Sequence, residues 1–181
     1  MTTGDSAVPS GSAPLDSAPE WFIYCPRCAA PVITTPVMDK PRRVCPQCGY
    51  VHFTDPKVGV GVAVVEDGRI LLVRRAMNPE RGKWSLPAGY VDQGDDPRLT
   101  AAREAHEETG LIVEVTELID VFHNPPGIGG ASIFILYQAR RVGGELAAGD
   151  DADDAQFFAP DELPELAFAS TQMAVDLLAK T

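Results

Sequence analysis

No apolar run in this 181-residue chain approaches the ~20 consecutive residues that a membrane-spanning helix needs. Its N-terminus has no basic segment followed by an apolar one, so it does not read as a secretory signal. Basic residues are scarce: 15 Lys and Arg stand against 26 Asp and Glu, a net charge of −11. That balance argues against a nucleic-acid partner or an acidic membrane surface. The shortage is sharpest near the C-terminus, where no Lys or Arg lies between Arg141 and Lys180 but nine acids do. There are only four cysteines, and a disulfide scaffold suits a shorter chain in an oxidising compartment. A cytoplasmic protein with no membrane partner is the expectation.

The length suits one domain of ordinary size plus a small appendage, and 45% hydrophobic residues suffice for a real core. Residues 1–20 are mostly Ser, Ala, Pro, Gly and Thr. They bury too little apolar surface to offset ordering entropy, so a disordered tail is expected there.

The four cysteines form two C-x2-C pairs, Cys25–Cys28 and Cys45–Cys48, with sixteen residues between the pairs. This spacing fits a four-thiolate zinc ribbon over residues 21–55. A redox reading would need one such pair near a βαβ pattern, which is absent. Four thiolates leave no open position on Zn²⁺, so the ion would be structural. Pro31–Thr35 and Arg42–Val44 read as short strands, with Tyr50, Val51 and Phe53 leading out to pack on the next domain. Arg27, Lys40, Arg42 and Arg43 give the ribbon local positive charge, which keeps an RNA- or protein-gripping module open as a reading. No aromatic stacking run accompanies them.

From Pro56 the pattern becomes α/β. Val58–Val65 is apolar and β-branched, Asp67-Gly68 signals a hairpin, and Ile70–Val73 returns. A helix starting near Pro97, capped by Asp95 or Asp96, would end at Gly110. Leu111–Phe122, Ala131–Ala139 and Gln156–Phe158 read as strands. Thr171–Ala179 reads as an amphipathic helix with Met173, Val175, Leu177 and Leu178 partly inward.

The helix after Pro97 carries Glu104, Glu107 and Glu108 at i, i+3 and i+4, within roughly 100° of arc. Like charges at that spacing destabilise a helix by ~0.2–0.5 kcal/mol per pair. A hard cation shared with substrate phosphates would neutralise them. His106 lies roughly 200° around the helix from Glu104 and reads as an ordinary helix-edge residue.

The stretch Gly89–Leu111 resembles the Nudix box, Gly-x5-Glu-x7-Arg-Glu-U-x-Glu-Glu-x-Gly-U, where U is a bulky apolar residue. Gly89, Arg103-Glu104, Glu107-Glu108 and Gly110-Leu111 match; Asp95 stands where the family has its first Glu, and Ala105 fills the first U. The resemblance covers about Val58–Leu178. It implies a mixed-sheet α/β/α sandwich over residues 56–181 and hydrolysis of a nucleoside diphosphate derivative with Mg²⁺ or Mn²⁺. Glu104, Glu107 and Glu108 would be the metal carboxylates, and the carbonyl of Ala88 or Gly89 a further ligand. Glu104 could instead activate the attacking water, a role for which Asp151, Asp153 and Asp154 also stand as candidates. Arg103 would pair with Asp95 and hold loop to helix. The family is often dimeric, so a homodimer is an implied assembly.

A zinc ribbon ahead of such a domain resembles the NADH pyrophosphatase group. That group carries a Ser-Gln-Pro-Trp-Pro-Phe-Pro-like stretch, where this chain reads Asp120-Val-Phe-His-Asn-Pro-Pro-Gly. ADP-ribose pyrophosphatases tend to have a proline about where Pro126 falls. The order of expected substrates is ADP-ribose, then FAD or NADH, then oxidised nucleoside triphosphates. Tyr90, Phe122 or Phe53 would offer a flat face to an adenine. A non-enzymatic nucleotide sensor is the reading of another class, although such domains usually lose the box glutamates kept here.

Overall fold

The computed structural model describes residues 21–124 and 131–178. The tail expected over 1–20 and the prolines Pro125 and Pro126 lie outside the described residues, as do the side chains of Leu177 and Leu178. No described helix is long and apolar enough to cross a membrane. The chain forms two compact units that part between Asp55 and Pro56.

The first unit is a three-stranded antiparallel sheet, β1 (Ile33–Val37), β2 (Lys40–Val44) and β3 (Val51–His52). Its small core is Cys25, Val32 and Cys45, with Phe22, Cys28, Ala30 and Tyr50 packed on it. Tyr50, expected to lead outward, thus packs on its own unit's cysteine core. Phe53 is also engaged locally, with the Arg42 guanidinium 4.4 Å from its ring centre.

The second unit carries the mixed sheet. Its strands are β4 (Val58–Glu66), β5 (Arg69–Arg75), β6 (Trp84–Ser85), β7 (Ala88–Tyr90), β8 (Leu111–His123), β9 (Ile133–Gly144) and β10 (Ala152–Phe158). The main path runs β10-β5-β4-β9-β8, with β6 on β5 and β7 on β4. Among the pairs of described strands, only β4–β9 is parallel. Asp67 and Gly68, both at positive φ, form the β4–β5 hairpin, as two-residue turns of this kind require.

Alternation along the strands separates two apolar faces. Val60, Val62, Val64 and Leu71 pack on Ala101 and Ala105 of α1 (Pro97–Thr109). Ala63, Ile70, Leu72 and Leu136 pack with Ala174 and Val175 of α2 (Ala169–Leu178). Each face is covered by one helix, which makes the α/β/α sandwich. Met173, expected inward, is about half exposed; Thr171, Ala174 and Val175 form the buried stripe instead.

Candidate active site

The geometry begins at the cap of α1. Asp96 is the N-cap, its carboxylate accepting from the N–H groups of Arg98 (2.8 Å) and Leu99 (3.3 Å), and Pro97 follows. Gly110 ends the helix in the left-handed region, at φ 69°. These stops fix which side chains of α1 face β7.

The three glutamates separate by environment. Glu108 is buried, at 7% exposure, and its Oε2 accepts from the Ala88 N–H at 2.9 Å. Glu104 is mostly buried against Gly89, where an added Cβ would sit 2.1 Å from its carboxyl carbon. Only glycine leaves room for that carboxylate. Glu107 points out and pairs with Arg103 at 3.0 Å. Glu104 and Glu108 line one cavity of about 740 Å³ together with Ala88, Gly89 and Tyr90. Glu107 is not among its lining residues.

Burial pushes the Glu108 carboxyl up to about 8, opposed by the Ala88 N–H and reinforced by the nearby Glu104 charge. Burial also raises Glu104; Arg103 works against the rise, and Glu107 and Asp150 add to it. Two carboxyls held this way against the Ala88-Gly89 backbone form an oxygen donor set suited to a hard divalent cation. A 2+ charge at that point would favour both ionised forms.

The loop-to-helix pairing of Asp95 with Arg103 is not what forms. Arg103 reaches Glu104 and Glu107, each at 3.0 Å. Adjacent and i+4 positions on one helix are already within its reach, while Asp95 is a methylene shorter than Glu and sits one residue ahead of the cap. Loop and helix are joined by the Ala88–Glu108 hydrogen bond and by the seat of Glu104 on Gly89.

The acidic run before β10 also sorts differently from expectation. The strand begins at Ala152, so Asp153 and Asp154 lie on it. Asp154 accepts from Gln156 at 2.9 Å and faces Arg74 at 3.9 Å. Neither lines the cavity. Asp150 and Asp151 do, so of the three candidates Asp151 alone reaches the cavity wall, beside Asp150, which sequence reasoning passed over.

Among the aromatic candidates, Tyr90 lines the cavity and is half exposed. Phe122 does not: it is buried in the core with its ring 6.5 Å from that of Phe134. Phe134 takes its place on the cavity wall. Arg75 was missed as well. It ends the largely apolar strand β5, and only the pairing of β5 with β6 and β10 brings it to the carboxylates. Its Nε donates to the Pro79 carbonyl at 2.8 Å, and its guanidinium lies 4.9 Å from the Phe168 ring centre.

In the first unit the four cysteine sulfurs lie within 4.8 Å of one another. Cys25–Cys48 and Cys28–Cys45 are each 3.5 Å apart. A tetrahedral ion with Zn–S bonds of ~2.3 Å would set its sulfurs roughly 3.8 Å apart, so the cluster fits one. Two matching turns shape it: Ala29 N–H bonds to the Cys25 carbonyl (2.9 Å) and Gly49 N–H to that of Cys45 (3.0 Å). Ala29 and Gly49 both have positive φ. The Cys48 backbone N–H is the main cause that lowers the Cys45 thiol to about 7.

Comparison with known proteins bears on the same region. The NUDIX domain profile matches residues 55–177. ADP-ribose pyrophosphatase of Methanocaldococcus jannaschii is 39% identical over 130 residues, 71% of this chain and 77% of that protein. NAD-capped RNA hydrolase NudC of Chromobacterium violaceum is 31% identical over 145 residues, 79% of this chain but only 52% of that protein. A NUDIX hydrolase structure from Nitrosomonas europaea superposes with a TM-score of 0.75 at 32% identity, covering 86% of this chain and 87% of that one.

Proposed function

The chain belongs to the Nudix family of hydrolases, and on that premise we propose that it cleaves the pyrophosphate of ADP-ribose, giving AMP and ribose 5-phosphate, with Mg²⁺ or Mn²⁺. The observation that carries this reading is the convergence of Glu104, Glu108 and the Gly89 backbone on one wall of a cavity of about 740 Å³. Pockets for small nucleotide derivatives fall in the ~300–1,000 Å³ range. The 39% identity to an ADP-ribose pyrophosphatase supports the choice of substrate.

A bound divalent cation supplies charge neutralisation and a more acidic water. Glu104 and Glu108 would hold it, whereas Glu107 faces away from the cavity and pairs with Arg103. In the reaction, water oxygen bonds to one phosphorus and the bridging P–O bond breaks. The bridging oxygen leaves with the other phosphate. Glu104 takes the water proton, with Asp151 and Asp150 as the alternative acceptors across the cavity. Arg75, braced by Pro79 and Phe168, neutralises charge on the phosphates. The cysteine quartet holds a structural Zn²⁺.

A second reading has its own support. The NudC match covers 79% of this chain, more than residues 56–181 make up, so it extends into the cysteine unit. That favours NADH, FAD or another dinucleotide as the next substrates. Side-by-side catalytic efficiencies on ADP-ribose, NADH, FAD and 8-oxo-dGTP, with Mg²⁺ and with Mn²⁺, decide between them. ADP-ribose is expected first. Rank below any of the other three overturns the substrate, and no turnover of any favours a nucleotide sensor.

A further inference from the structure

A row of positions in register crosses four strands on the α2 face of the sheet. Phe122 on β8 pairs with Phe134 on β9, Phe134 with Gly59 on β4, and Gly59 with Tyr90 on β7. Three aromatics and one glycine thus share a face, because residues paired across strands point the same way. The last three line the cavity that holds Glu104 and Glu108.

The glycines on β4 set how Phe134 lies. A Cβ at Gly61 would stand 2.6 Å from Phe134 Cζ, and one at Gly59 3.3 Å from Cδ2. The ring therefore lies across the bare backbone of both glycines. Phe122 packs behind it at an interplanar angle of 28°. Seated on both glycines, packed by Phe122 and set against the core cluster of this face, the ring still lines the cavity. Tyr90 stands across Gly59, and the Lys57 ammonium is 5.3 Å from its ring centre.

We infer that Phe134, seated on Gly59 and Gly61, is the platform on which the substrate's nucleobase stacks, with Tyr90 at the opposite rim. The inference rests on the reading that this cavity takes a nucleotide and adds where the base goes. A rigid ring face loses little entropy on binding, and any base has a π-face to meet it. Specificity here is for a base of large flat area, so a purine outranks a pyrimidine.

The test uses the full-length, metal-loaded protein. Base–aromatic stacking is worth ~1–3 kcal/mol, so Phe134→Leu should weaken AMP binding by roughly 5- to 150-fold in calorimetric titration. Inorganic pyrophosphate, which has no base, should bind as in the wild type. Phe134→Trp should restore AMP binding, and Gly61→Ala should weaken it by displacing the ring. With ADP-ribose, Phe134→Leu should raise KM by more than it lowers kcat. Unchanged AMP affinity in Phe134→Leu overturns the platform, as does an equal loss for AMP and pyrophosphate. Wild-type protein that binds AMP through Phe134 yet hydrolyses none of the four nucleotides would keep the platform and refute the hydrolytic reading.

Discussion

At the scale of single residues, Glu108 is the clearest lever. Its carboxyl ordinarily titrates near 4.5 and burial lifts it to about 8. Below pH 4.5 it is protonated folded or unfolded and costs the fold nothing. Between 4.5 and 8 the unfolded chain has released a proton that the folded chain retains. Stability of protein freed of divalent metal therefore falls as pH rises through that window and levels off above it. The loss is several kcal/mol at most. Urea unfolding at pH 5, 6.5 and 8.5 in chelator should record it. Glu108→Gln should flatten the slope, and added Mg²⁺ or Mn²⁺ should restore stability at the alkaline end. The same substitution should lower turnover by orders of magnitude, since an amide cannot supply the negative charge. Glu107, exposed and paired with Arg103, should tolerate Gln far better. Wild-type turnover in Glu108→Gln at saturating substrate would remove it from the site.

At the scale of elements, strand β7 and helix α1 act as one device. Gly89→Ala places a methyl on the Glu104 carboxylate, 2.1 Å from its carbon, so kcat should fall at least tenfold while the circular-dichroism spectrum stays native. Arg103 is half exposed and paired within its own helix. Such pairs contribute ~0.3–1 kcal/mol, so Arg103→Ala should cost little stability and act mainly through the orientation of Glu104. Asp95→Glu should change either quantity by less than twofold, because Asp95 makes no direct ion pair with Arg103 and acts on it only as a weaker, more distant charge. A stability loss of several kcal/mol in Arg103→Ala would point back to a buried pairing. These two residues also mark where the sequence stopped being legible. Spacing along one helix put Glu104 and Glu108 on the face that lines the cavity, and the capping residues gave its ends. The hairpin at Asp67-Gly68 and the hydrophobic runs of β4, β5, β8 and β9 were equally readable, while the order of the strands in the sheet was not. Partners across the loop were not: a single residue's reach depends on where the backbone sets it, and Asp95 falls one residue short of the cap. Nor could the sequence separate Phe122 from Phe134, two aromatics on neighbouring strands, because strand register decides which one meets the cavity. Asp153 and Asp154 looked like loop residues until pairing with β5 extended β10 back to Ala152.

At the scale of the whole molecule, each unit has its own core and its own cluster of chemistry. The cysteine unit buries few residues: Cys25, Val32 and Cys45 form its centre. A core that small rarely holds three short strands alone, so a zinc ion on the four thiolates would supply much of its folding free energy. The larger unit has two extensive apolar clusters, one on each face of its sheet, and needs no such support. Cys25→Ser should therefore release Zn²⁺ and expose backbone amides of residues 21–52 to rapid hydrogen exchange. Amides of β4, β5 and β9 should stay protected, and Mg²⁺-dependent turnover should fall by less than tenfold. Cys48→Ser should behave alike, although Cys48 is the exposed member of the quartet, because loss of any one thiolate opens the tetrahedral set. Elemental analysis of reduced, metal-replete protein should find about one zinc per chain. Absence of zinc in that preparation would refute the assignment. Collapse of amide protection in β4 and β9 together with the cysteine unit would show that the larger unit depends on the smaller for its stability.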